Sequence, residues 1–325
     1  MAKVNEPNDV QFEAPTVSVI MNCYNGEKYL KEAVGSVYSQ TYQNWEIIFW
    51  DNASTDNSAE IAKSYDDKLR YFRGEKTVPL YAARNYALKK ARGKYIAILD
   101  CDDLWLPTRL EEQIPLLERD DTIGLVHSDA FMFNEKGKEK RHFEIVTPYR
   151  GNIFKELLLC NFICTQTVVI RKDAFDSLDM WFDGRLTLSG DYDAYLRISY
   201  RWKVAFVDKP LARYRIHRES GTYKEGRKLE TVELDLVIEN LSKAVNGFEK
   251  NYPEGIRSLR KMRDLQLSLL DWENGDKKKA RERLNVYIQD GVYYLALSLL
   301  MYFPYRYVFH PCRRVYTLYT KDVIA

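Results

Sequence analysis

Long apolar runs are missing from this chain. None reaches the roughly 18 consecutive apolar residues that a membrane-spanning helix needs, so no helical span is expected. Paired cysteines are missing too. The five that occur, Cys23, Cys101, Cys160, Cys164 and Cys312, are odd in number and form no CxxC set. That argues against a disulfide framework or a structural zinc site, and free thiols in a reducing cytoplasm are expected. A dominant charge is also absent. Lys and Arg total 49 against 47 Asp and Glu, a net charge of +2, which makes no general case for nucleic acid as a partner. The opening stretch, MAKVNEPNDVQFEAP, is polar and lacks the apolar core of a secretory signal.

What is present suits a globular protein. The chain has 325 residues, 46% of them hydrophobic and 30% charged, enough for one large domain or two smaller ones. TVSVIMN (16–22) reads as a buried strand, and Asn25-Gly26 as the turn after it. Tyr29, Leu30, Ala33, Val34, Val37 and Tyr38 then recur at helical spacing. WEIIFWD (45–51) is a second strand ending in Asp51, with Ser54, Thr55 and Asp56 as candidate helix caps beyond it. LRYFRG is a short third strand. Leu80, Ala83, Ala87, Leu88 and Ala91 line one helix face, and YIAIL (95–99) is a fourth strand. Strands alternating with helices predict an α/β fold with a mostly parallel, Rossmann-like sheet and helices on both faces. Ligands of such sheets bind beyond the carboxyl ends of the strands. Asn22 to Asn25, Asp51 and Asp100 to Asp103 all lie at such ends, so three stretches should converge on one crevice.

The fourth strand poses a physical problem. Its continuation, DCDD, places Asp100, Asp102 and Asp103 within four residues. Like charges so close repel, and burial makes each more costly. A cation is expected there, and magnesium or manganese suits hard oxygen ligands completed by substrate phosphates. The plainer alternative is that Asp102 and Asp103 only cap the helix after Pro107.

Five stretches carry a resemblance. VSVIMNCYNGEKYL, SVYSQTYQNWEIIFWDNASTDNS, AARNYALKKARGKYIAILDCDDLWLP, SGDYDAYLRIS and PLARYRIH are similar, in order and spacing, to motifs of the inverting nucleotide-sugar glycosyltransferases of family 2, which have the GT-A fold. They cover residues 15 to about 220. The resemblance implies an inverting transfer of a hexosyl or N-acetylhexosaminyl group. The donor would be a nucleoside diphosphate sugar, UDP favoured, and the acceptor a hydroxyl of a glycan or lipid-linked molecule in cell-surface polysaccharide or glycoconjugate synthesis. It also implies a Mg2+ or Mn2+ cofactor. Asn22, Tyr24, Asp51, Arg84 and Asp100 would bind the donor, Tyr24 by stacking on the base and Asp51 by accepting a uracil N–H. Asp102 would be the direct metal ligand, Asp100 a contact to ribose or metal-bound water, and His217 a third metal ligand or a phosphate donor. Asp191 corresponds to the catalytic base, although the glutamate that usually precedes it is here Gly190.

Each role has a structural alternative. Tyr24 could be an aromatic packed under the next helix, Asp51 a loop cap, and Arg84 a solvated helix arginine, with Asn85 a weaker case of the same kind. Asp191 could be a helix N-cap, and His217 a loop histidine with no role. Two other function classes stay open: a nucleotidyltransferase on a similar sheet, and a non-catalytic sugar-nucleotide-binding protein.

Three regions are expected. Residues 1–14 form a polar arm, 15–223 the catalytic domain and 224–325 a helical C-terminal extension. Within the last, IRSLRKMRDLQLSLLDWENGDKKKARERLNVYIQDG resembles a helical hairpin turning at Asn274-Gly275. The segment 292–321 mixes apolar residues and tyrosines with Arg306, Arg313, Arg314 and Lys321. That composition suits a helix lying on an anionic membrane, and the expected location is cytoplasmic, at the inner face of the cell membrane. The alternative is a helix packed on the catalytic domain or on a second subunit.

Overall fold

The structure, a computed structural model, describes residues 15–217 and 219–305. The expected N-terminal arm lies outside them, as do Cys312 and the four basic residues of the tail.

The strands are β1 (Val17–Cys23), β2 (Trp45–Asp51), β3 (Leu69–Arg73), β4 (Tyr95–Ile98), β5 (Leu104–Trp105), β6 (Ile123–Asn134), β7 (Glu139–Arg141), β8 (Val169–Arg171) and β9 (Lys203–Ile216). The helices are α1 (Glu27–Tyr38), α2 (Ser58–Lys63), α3 (Leu80–Leu88), α4 (Arg109–Arg119), α5 (Phe154–Leu159), α6 (Lys172–Asp176), α7 (Gly190–Arg201), α8 (Gly221–Ala244), α9 (Phe248–Asn251), α10 (Pro253–Glu273), α11 (Lys277–Asn285) and α12 (Val292–Leu300).

One sheet runs in the order β3-β2-β1-β4-β8-β6-β9-β5, with β7 paired to β6. The first four strands are parallel neighbours, as the alternation of strand and helix predicts. β8 joins antiparallel to both β4 and β6, while β6 and β9 pair in parallel. In β1, Val17, Val19 and Met21 enter the core under α1 and α4, while Ile20 enters the opposite core with α3, α5 and α7. β2 and β4 alternate in the same way, because successive side chains of a strand point to opposite faces. Strands buried on both faces read as continuous apolar runs, which is why these were legible in the sequence.

The boundary expected at 223/224 is not a boundary of packing. Leu234, Val237 and Leu241 of α8, and Ile256 and Leu259 of α10, belong to the same core as the α7 residues Tyr195 and Leu196. A separate small core begins further on, where Leu269 and Trp272 of α10 meet Ala280, Leu284, Leu297 and Met301. The α10–α11 hairpin turns at Asn274-Gly275 as expected, with Gly275 in the left-handed region at φ 90°. α12 packs on this hairpin. Among the described residues, no helix is long and apolar enough to cross a membrane.

Candidate active site

A cleft of ≈ 680 Å³ opens beyond the carboxyl ends of β1 and β4. Asn22, Tyr24, Arg84, Asp100, Asp102, Asp191 and His217 all line it, brought together from distant parts of the chain. Asp51 does not.

The aspartate turn is held from two sides. Asp100 accepts from the Arg84 guanidinium at 2.5 Å and from Gln166 Nε2 at 3.0 Å. Arg84 is buried, which corrects the solvated-arginine alternative. Burial works against its charge, yet Asp100 and Asp191 hold its pKa above the ordinary arginine value. Burial raises the Asp100 pKa, and Arg84 offsets part of that rise. On the other side, Asp102 Oδ2 lies 2.9 Å from His217 Nε2. Asp103 is buried and accepts the Arg215 backbone N–H at 2.7 Å, and burial beside Asp102 and Asp100 pushes its pKa well up. It therefore ties the turn to β9. The alternative in which it caps the helix after Pro107 is not met, since the N-cap position there is Thr108. The Arg215 side chain adds to the tie by donating to the Asp102 carbonyl at 2.8 Å and to Glu32 at 2.7 Å.

Asp191 sits in the first turn of α7, partly open to the cleft. The N-cap position belongs to Ser189, so Asp191 is not the cap. Thr165 Oγ1 donates to Asp191 Oδ2, and the Tyr192 N–H donates to Oδ1 at 2.7 Å. Gly190 has a steric reason: a Cβ there would fall 2.4 Å from the Tyr81 ring. A glutamate in the family's usual place would collide with Tyr81, whose hydroxyl donates to the Leu188 carbonyl. Tyr81 therefore fills the space next to the candidate base.

Other expectations need correction. The Asp51 carboxylate is 0% exposed and already accepts from Ser54 N at 2.7 Å, from Tyr71 Oη at 2.6 Å and from Arg73. In this geometry it holds the β2–β3 edge together and presents no free oxygen to the cleft, so the expected direct uracil contact is not met. Asn85 bonds the Phe182 backbone through both amide atoms and does not line the cleft. Tyr24, at 53% exposure, is not packed under α1 and stands at the cleft rim. Asn22 is buried, and both atoms of its amide lack a hydrogen-bond partner. A buried amide left in that condition is costly unless a ligand pairs it.

Sequence reasoning missed Thr165, Gln166, Arg215 and Glu233. Thr165-Gln166-Thr167 is a polar triplet between apolar runs, a signal that could have been read. Glu233 gave no signal. It lies on α8 and accepts the backbone N–H groups of Thr187, Leu188 and Ser189, the loop that leads into Asp191.

A metal site can be tested against these donors. Asp102 and His217 offer a carboxylate oxygen and an imidazole nitrogen at one point of the cleft, and the His217 Nδ1 has no partner. Asp100, expected as a further metal contact, is engaged by Arg84 and Gln166. Among the described residues, no group of three or more His, Cys, Asp or Glu side chains forms a metal cage. The pair therefore fits an ion whose coordination substrate phosphates complete, and does not fit a closed structural site.

Residues 18–179 match the model for glycosyl transferase family 2. An uncharacterized glycosyltransferase of Methanocaldococcus jannaschii is 35% identical over 63% of this chain and 72% of its own length. The Bacillus subtilis protein EpsE, named as a glycosyltransferase, is 33% identical over 69% of this chain and 80% of its own. The chain belongs to glycosyltransferase family 2. Among solved structures, S. aureus TarS 1–349 in complex with UDP-GlcNAc superposes with a TM-score of 0.62, at 18% identity, over 84% of this chain and 81% of that one. The mannosyltransferase PcManGT of Pyrobaculum calidifontis, in complex with GDP-Man and Mn2+, gives 0.60 at 17% identity, over 93% and 86%. This family 2 glycosyltransferase thus has the GT-A fold, with the C-terminal helices added to it.

Proposed function

We propose that this enzyme transfers a sugar, with inversion and with the help of a divalent cation, from a nucleoside diphosphate donor to a hydroxyl of a glycan or lipid-linked acceptor. The observation that carries the reading is the convergence of Asp100, Asp102, His217 and Asp191 on one cleft. Asp102 and His217 would hold Mn2+ or Mg2+, and the mixed oxygen and nitrogen donor set favours manganese. When bound, the ion supplies Lewis-acid stabilisation of charge on the departing diphosphate. Arg84 keeps Asp100 in place beneath the donor. Asn22 uses its unpaired amide on the nucleotide, and Tyr24 is placed to stack on the base. Asp191, oriented by Thr165, takes the proton of the acceptor hydroxyl as it attacks. A single base without a protein nucleophile fits one displacement and therefore inversion. UDP is the nucleotide to test first, because the TarS structure of the same fold holds UDP-GlcNAc.

The nucleotidyltransferase alternative fares worse. A phosphate-cradling loop after β1 would need free backbone N–H groups. Here those of Asn25, Gly26 and Glu27 are spent on Ser54, Ser58 and Asp56. Ser54 and Asp56 were expected, with Thr55, as caps of α2, whose N-cap position is Asn57.

Thermal shift with UDP, GDP and dTDP, each with and without Mn2+, tests the reading. A ligand at 100 times its Kd adds roughly 2.7 kcal/mol. Stabilisation that needs Mn2+ and is lost in Asp102→Ala supports it, and no shift with any nucleotide overturns it.

One observation supports peripheral membrane contact as a second reading. α12 and the residues after it expose Val292, Leu295, Leu299, Leu300 and Phe303, with Val292 at 81%. An apolar face of this kind suits a lipid surface. Flotation with anionic liposomes is expected to carry the full chain and to lose it on truncation after Asp290. Indifference to such liposomes refutes the contact.

A further inference from the structure

Two thiols meet at the root of the aspartate turn. Cys23 ends β1, and Cys101 lies between Asp100 and Asp102. β1 and β4 are adjacent parallel strands in which Val17 pairs Tyr95 and Ile20 pairs Ile98. Continuing that register past the end of β4 brings Cys23 level with Cys101. The side chains follow the backbone. A Cβ built on Gly26 would lie 2.7 Å from Cys23 Sγ and 2.8 Å from Cys101 Sγ, so both sulfurs crowd one point. The two sulfurs are therefore at most about 5.5 Å apart. Neighbouring strands lie about 4.8 Å apart, within the roughly 4.4–6.8 Å between Cα atoms that a disulfide spans. Gly26 has no side chain to cover the pair. Cys101 is partly exposed and lines the cleft, whereas Cys23 is buried.

We propose that Cys23 and Cys101 are a reversible oxidation site that switches off the donor site, with a hydroperoxide as the oxidant. The Cys101 sulfur attacks one peroxide oxygen, the O–O bond breaks, and a sulfenic acid and one water form. The Cys23 sulfur then attacks the Cys101 sulfur, the S–O bond breaks, and the hydroxyl leaves with the Cys23 proton as a second water. Two thiols and one hydrogen peroxide thus become one disulfide and two waters. An added thiol reduces the bond by exchange.

The effect on the site follows from which partner moves. A disulfide bond is about 2.05 Å long, so two non-bonded sulfurs must approach to form it. Cys23 is held by pairing with Asp51 of β2 at the end of β1, which β4 also flanks up to Ile20, and Cys101 lies in a turn. The turn therefore yields, and it carries Asp100 away from Arg84 and Asp102 away from His217. A misplacement of about 1 Å can cost 10²-fold in rate. In a reducing compartment such a bond is transient and serves sensing rather than structure.

The inference rests on the donor-site reading above, and the test separates the two. The full chain is treated with hydrogen peroxide, digested without reduction and mapped by mass spectrometry, with exposed Cys160 as the internal measure of oxidation. The expected result is a Cys23 peptide joined to a Cys101 peptide. The thermal shift given by UDP with Mn2+ should fall on oxidation and return with dithiothreitol. Cys23→Ser, or Cys23→Ala if serine destabilises the strand, should keep the shift when reduced and lose the thiol-reversible response. No joined peptide once Cys160 is oxidised overturns the disulfide. A joined peptide with an unchanged shift overturns the switch. If the reduced chain gives no shift with any nucleotide, the donor reading and the coupling both fail, while the mapping still decides whether the disulfide forms.

Discussion

Glu233 offers the sharpest test of how the helical extension serves the active site. Its side chain is buried, and it reaches from α8 to the loop before α7. One carboxylate oxygen takes the N–H groups of Thr187 at 2.6 Å and Leu188 at 3.2 Å; the other takes Leu188 at 2.9 Å and Ser189 at 2.7 Å. Ser189 is the N-cap of the helix whose first turn carries Asp191. Glu233→Gln keeps the shape and one acceptor oxygen but turns an NH2 group toward a backbone donor. A hydrogen bond to a charged group contributes about 1.5–3 kcal/mol, and the remaining bonds weaken to neutral strength. The sum is a loss of about 2–4 kcal/mol. At about 2–4 °C per kcal/mol for a domain of this size, Tm should fall by about 4–16 °C. Displacement of Ser189 should also move Asp191, so kcat should drop at least about 10-fold while the donor KM stays within a few-fold. Differential scanning fluorimetry and initial-rate kinetics at saturating donor read the two effects. An unchanged Tm refutes the energetic argument. A lowered Tm with unchanged kcat refutes the positioning role.

The other predictions concern the base, its neighbour and the acid limb of stability. Asp191→Asn should leave UDP binding within a few-fold, by calorimetry, and lower turnover by about 10²–10⁴; near wild-type turnover would show that another group takes the proton. Gly190→Glu should lower Tm, because its Cβ meets the Tyr81 ring, and combination with Tyr81→Ala should recover most of that loss; simple additivity of the two changes would refute the steric account. His127 is packed among Phe143, Phe162 and Phe206, and burial, with His142 nearby, pushes its pKa down to about 3. The unfolded chain therefore binds a proton that the fold does not as pH falls below the free value of about 6.5. Stability from this group is full above that pH and declines by about 1.4 kcal/mol per unit toward pH 3. His127→Leu should flatten the fall in Tm between pH 7 and pH 5, and an unaltered slope would refute the assignment.

The α/β alternation, the first four strands and the helical hairpin were legible because each depends on a local pattern. Apolar runs mark strands buried on both faces, and 3.6-residue spacing marks helices. An Asn-Gly pair marks the turn. The aspartates at strand ends were legible for a related reason, since ligands of parallel sheets bind beyond the carboxyl ends of the strands. The roles of particular side chains were less so. Asp51 reads as a donor contact, and only the packed β2–β3 edge shows its carboxylate taken by Ser54, Tyr71 and Arg73. Arg84 reads either as a donor contact or as a solvated helix arginine, and only the fold buries it against Asp100. Gly190 reads as a lost glutamate, and only the fold puts Tyr81 in the vacated space.

By itself, the sequence determined the fold class, the family and the short list of acidic residues, because local patterns and ordered motifs need no knowledge of distant contacts. Tertiary structure alone decided which of those carboxylates stay free and which are consumed in pairs. It also decided that α8 is part of the catalytic core, that Glu233 holds the loop before Asp191, and that Cys23 stands beside Cys101. These facts depend on strand register and helix packing between residues tens of positions apart. No window of sequence short enough to show periodicity contains both partners.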